Sequence, residues 1–163
     1  MKKTAGIVVL ICWFILSTAN GLYNLIRATS STDYYIFSSN GLTPLFFFFA
    51  LGVLLLDAAT VVYLFRPRPT GFYVGLSAIF LSLIQSIVSV SLAMSDLPGV
   101  REAYEASREA RGLSIRQESL DMMFTPQAMY LVLGVVVALN AVVLFLIIRN
   151  RGYFLHHEIK SEA

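Results

Sequence analysis

The sequence predicts an all-α integral membrane protein, a single domain over residues 1–163 built as a four-helix bundle. Three observations carry that prediction. Hydrophobic residues make up 57% of the chain and charged residues 13%, with a mean hydropathy of +0.73. Soluble domains carry about 25% charged residues, so this chain cannot cover a water-facing surface. Four apolar runs, at about residues 5–27, 43–65, 71–94 and 127–148, each reach the ~20 residues that a helical span needs. Finally, basic residues collect at alternate connections between those runs.

The first run follows Met1-Lys2-Lys3 and admits two readings. A basic start, a short apolar stretch and the small residues Ser17 and Ala19 resemble a cleavable signal peptide. The apolar character resumes after Ala19, however, through Leu22, Tyr23, Leu25 and Ile26 to Arg27, which favours a span. Residues 28–42 read as a polar loop whose Tyr34-Tyr35-Ile36-Phe37 suits an interfacial aromatic belt, with Asn40-Gly41 as a turn. Thr43-Pro44 then reads as helix cap and first helical residue of the second span. Arg66-Pro67-Arg68-Pro69 closes it and turns tightly into the third.

The third span is the one around which the others are expected to pack. Gly71, Gly75, Ala78, Ser82, Ser86, Ser89 and Ala93 recur three or four apart and form one stripe of small residues. Small residues let neighbouring backbones approach closely in a bilayer, while bulky ones such as Ile79, Phe80 and Leu83 are expected to face lipid. Of this stripe, Gly71, Gly75, Ala78, Ser82 and Ser89 are the predicted packing positions.

Residues 95–126 form the sizeable connection, expected to be helical and extracytoplasmic. Val100 to Arg111 reads as a short helix with an Arg101–Glu105 pair, stopped by Gly112, and Ser114 with Gln117 resembles a capping box opening another. Lys2, Lys3, Arg66, Arg68, Arg149, Arg151 and Lys160 all fall on the opposite side, so positive-inside logic puts both termini and the 149–163 tail, with His156-His157, in the cytoplasm.

The second and fourth runs echo one another. Thr43-Pro44, Leu51-Gly52-Val53 and Arg66-x-Arg68 have counterparts in Thr125-Pro126, Leu133-Gly134-Val135 and Arg149-x-Arg151. In that alignment Asp57 corresponds to Asn140, and the pair is expected to meet at matched depth. A parallel duplication would give this pattern, and so would unrelated helices with like caps.

Polar residues within spans are the candidate functional set: Asp57, Asn140, Gln85, Ser82, Ser86, Asn20 and Asn24. As packing glue, such contacts are worth ~0.6 kcal/mol each. Asp57 stands apart, because an ionised Asp at a helix centre costs ~2.5–3.5 kcal/mol. Catalytic chemistry finds little support. No span holds a histidine, Cys12 is the single cysteine, and no P-loop or Rossmann glycine pattern occurs. Neither catalytic residues, cofactor, metal nor nucleic-acid partner is expected. The first expectation is a non-catalytic scaffold or accessory subunit of the bacterial inner membrane, contacting lipid and a protein partner through residues 95–126. The alternative is a small oligomeric carrier or ion-coupled transporter using Asp57 and the polar seam.

Overall fold

The computed structural model describes residues 4–114 and 116–155, apart from the Ser30 side chain. Lys2, Lys3, His156, His157 and Lys160 therefore lie outside the described residues. Four long helices, α1 (Ala5–Ile26), α3 (Thr43–Phe65), α4 (Pro69–Ser95) and α7 (Pro126–Arg149), are long and apolar enough to cross a membrane. Short helices α2 (Thr32–Ser39), α5 (Leu97–Ala110), α6 (Gln117–Met123) and α8 (Arg151–Leu155) complete the chain, and no strand occurs among the described residues. The fold is an all-helical membrane bundle.

Local chemistry sets most of the boundaries. Thr4 caps α1 by accepting from the Ile7 amide at 3.4 Å, and Thr125 caps α7 by accepting from the Ala128 amide at 3.1 Å. Proline stands at the start of α4 and of α7, where its missing N–H costs nothing. The cap of α3 differs from expectation, because Thr43 is already helical and Leu42 precedes it. The cause is the approach of the chain. Gly41, at φ 71°, turns the backbone out of α2, and the Leu42 carbonyl accepts from the amides of Leu45 and Phe46. The predicted capping box at Ser114 and Gln117 does not form either. Arg116 takes the cap position of α6 and Gln117 accepts from the Arg101 guanidinium at 2.9 Å instead.

Helix α4 is central, packing against α3 on one side and α7 on the other, while α1 packs along α3 and more thinly on α7. The small residues do what their size suggests. A methyl group at Gly71 would stand 2.5 Å from Cβ of Tyr63, and one at Gly75 would touch Ile147 and Thr60 at 3.4 Å. Gly71, Gly75, Ala78, Ser89 and Ala93 are buried, and Ser82 is half-buried. Ile79 departs from its expected lipid-facing position and is only 2% exposed. Two neighbours flank α4, so its buried arc is wider than the small-residue stripe and takes in the adjoining large side chain. Phe80, one position on, is 53% exposed as expected.

The two ends of the bundle are closed differently. At the end carrying Arg66 and Arg149, Thr4 donates to Asn150 at 2.9 Å and Tyr153 donates to the Leu64 carbonyl at 2.8 Å. The start of the tail is therefore not a solvated extension, since Phe154 in α8 is buried against Phe72 and the Gly71 backbone. At the other end, residues 28–42 are not a loop with an exposed aromatic belt. They hold a 3-10 turn (Ala28–Ser30) and then α2, which lies on α3, α4 and α5 and buries Tyr35, Ile36 and Phe37. Tyr35 bonds to the Thr29 carbonyl and to Ser107 of α5, which ties the cap together. Arg101 joins α5 to α6, meeting Glu105 at 2.8 Å and Asp121 at 2.7 Å.

Candidate functional site

Inside the half of the bundle beneath α2 lies a cavity of about 270 Å³. Helix α1 lines it with Trp13, Ser17, Asn20, Gly21 and Asn24; α3 with Phe46, Ala50 and Val53; α4 with Ser82, Gln85 and Ser86; α7 with Val136, Leu139 and Asn140. Ser31 and Asp33 line it at the α2 end. From Trp13 to Asn24 it follows α1 for about 16 Å at ~1.5 Å per residue. Six of the seven predicted polar residues, Asn140, Gln85, Ser82, Ser86, Asn20 and Asn24, meet on this one cavity. They do so because the α1 positions recur at helical spacing and the α4 positions fall within a single turn.

These polar groups divide into satisfied and unsatisfied sets. The Ser86 hydroxyl donates to the Ser82 carbonyl at 2.9 Å, and the Asn140 amide donates to the Val136 carbonyl at 2.9 Å. By contrast, the side-chain amides of Asn20, Asn24 and Gln85 make no hydrogen bond among the described residues. Among the described residues no fully buried side-chain nitrogen or oxygen is left without a partner; of the three unpaired amides Asn20 is exposed, and Asn24 and Gln85 are half-buried. An amide in apolar surroundings without a partner costs roughly 2–7 kcal/mol, so the half-buried Asn24 and Gln85 favour water or a polar solute in the cavity beside them.

Asp57, the seventh, does not line the cavity. It is 4% exposed within α3 and accepts from the Ser17 hydroxyl at 2.5 Å. The expected partner, Asn140, donates within its own helix, so matched depth did not produce a hydrogen bond between the two. Depth along the bundle says nothing about which way round a helix the residue points, and Asp57 faces α1. Ser17 thus has two roles, lining the cavity and donating to the Asp57 carboxyl.

Asp33 was missed from sequence because its segment read as loop. Its carboxylate accepts from Ser89 of α4 at 2.9 Å, which gives that stripe residue a polar task as well as a packing one. Burial pushes the Asp33 carboxyl above its ordinary value, and the Ser89 hydroxyl pulls it partly back. Asp33 also stands in the first turn of α2, where the helix dipole favours negative charge. An acid two residues after Ser31, ahead of an aromatic run, was the sequence signal for a helix start there.

Among the described residues no three of His, Cys, Asp and Glu gather as a metal site. The architecture and cavity define a multi-pass helical membrane protein with a polar pocket between its helices. No protein-family model matches this chain, and no curated protein or solved structure is significantly similar to it.

Proposed function

We propose that this chain is a non-catalytic solute-binding protein of the bacterial cytoplasmic membrane, taking a small polar molecule between its helices as a receptor or carrier does. The observation that carries the proposal is the convergence of three unpaired amides, Asn20, Asn24 and Gln85, on one cavity. Glue residues would bond to one another, as the structural reading of a polar seam requires. Placement of both termini in the cytoplasm, with α2, α5 and α6 outside, rests on the basic residues Lys2, Lys3, Arg66, Arg68, Arg149, Arg151 and Lys160.

Screening small polar solutes by thermal unfolding of the purified protein tests the binding reading. Solutes that bind should raise the midpoint of the wild type more than that of Gln85→Leu, since a leucine of similar size there removes an amide from the pocket wall. Equal shifts in both proteins, or none in either, would count against it.

A second reading, a scaffold or accessory subunit docking through residues 95–126, has one observation in its favour. Asp57 is buried and paired with Ser17, the state a structural carboxyl adopts, and it does not line the cavity as an ion-coupling one should. The proposed carrier function therefore does not run through Asp57.

A further inference from the structure

We propose that the solute of this cavity is a small organic cation whose ammonium group is held by Asp33. The inference rests on the solute-binding reading and adds the ligand's charge to it. Asp33 is the one ionisable carboxyl among the described lining residues, and no lysine, arginine or histidine lines the cavity with it. Its side chain receives one hydrogen bond among the described residues, the neutral one from Ser89. A carboxylate has about four acceptor sites, so one hydroxyl leaves most of its capacity unused. Burying a charge is costly unless it is paired and bonded, and a cation in the cavity would supply both.

The remaining wall suits the same ligand. The carbonyl oxygens of Asn24, Asn20 and Gln85 can accept N–H bonds from an ammonium, and their NH₂ groups serve any hydroxyl or carbonyl it carries. An anion would meet a carboxylate with no positive side chain to offset it. Calcium and magnesium take six or more oxygen ligands and zinc about four from Cys, His or carboxylates, and no group of three such side chains gathers among the described residues. The space also exceeds a bare ion, since about 270 Å³ would hold roughly nine waters at ~30 Å³ each.

Three four-carbon probes of graded charge test this in the full-length protein in detergent or nanodiscs: 1,4-diaminobutane, 1,4-butanediol and succinate, titrated by calorimetry. Diaminobutane is expected to bind at least roughly tenfold tighter than the diol, the scale of one charge-assisted hydrogen bond, with succinate weakest. Asp33→Asn should abolish that preference, bringing the diamine down to the affinity of the diol, and its unliganded unfolding midpoint reports whether it folds. Equal binding of diamine and diol would overturn the cation assignment and leave the solute-binding reading standing. Binding of none of the three would overturn both. A diamine preference that survives in folded Asp33→Asn would remove Asp33 from its role.

Discussion

The same four helices build two unlike halves. In the half near Arg66 and Arg149, Ile7, Leu10, Phe14, Leu64, Ile79, Val143, Ile147 and Phe154 interlock around Gly71 and Gly75. In the half beneath α2, the inward positions of α1 and α4 change to Ser17, Asn20, Asn24, Ser82, Gln85 and Ser86, and a cavity opens beside the buried cluster of Phe37, Phe46 and Phe49. The same four helices run through both, so helix length does not explain the difference. The inward face does. Close approach through glycine with large partners fills space, whereas medium-sized polar side chains hold the helices apart and leave groups that need an occupant.

The largest expected effect that would break the comparison is at Gly71. Gly71→Leu drives a side chain into Tyr63 and Phe154, and should cost about 3 kcal/mol or more, the upper end of overpacking. Unfolding in mixed micelles measures it, and a variant as stable as the parent would mean that the close contact is not real. Phe14→Ala in the same half should cost about 2 kcal/mol, the cavity term of ~24 cal/mol per Å³ over roughly 100 Å³. The transfer part of the usual penalty is absent, because lipid is as apolar as the core. Ser17→Ala should cost ~1–3 kcal/mol by leaving the Asp57 carboxyl without its donor, and Ser17→Thr should restore most of it. Val53→Ala on the cavity wall should cost less than about 1 kcal/mol, since no packed neighbour is lost. If Val53→Ala matched Phe14→Ala, the two halves would be packed alike.

The pH response sharpens the comparison at the α2 end of the cavity. Asp33 has its folded-state pKa raised above the ordinary 3.8, so the folded state binds its proton more tightly than the unfolded state does. Its contribution to stability is therefore fully present below pH 3.8 and is lost as pH rises through the elevated folded value. The difference in unfolding midpoint between wild type and Asp33→Asn, followed downward from neutral pH, should move in favour of the wild type. A pH-independent difference would place Asp33 in contact with water like any surface carboxyl.

Much of the frame was legible from residues alone. Span boundaries followed from apolar runs ended by Thr-Pro or Arg-x-Arg, and the observed helices depart from the expected ends by at most a turn. The polar residues of the cavity were legible as a set, because in-span Asn and Gln are few. What was not legible was direction around each helix. Asp57 and Asn140 share a depth and point elsewhere, and Ile79 is buried because α4 has two neighbours. The helix α2 was missed for a related reason. Its eight residues mix polar and aromatic types without a helical period, so its burial comes from docking on α3, α4 and α5.

A paired thiol-reactivity experiment on α4 tests the central claim most directly. In a Cys12→Ser background, needed because Cys12 is exposed, Gln85→Cys and Ile79→Cys would be treated with a small water-soluble thiol reagent in intact membranes. The two-halves account predicts fast modification at 85, slowed by a bound solute, and none at 79. Equal reactivity at the two positions, whether both react or neither does, would contradict it.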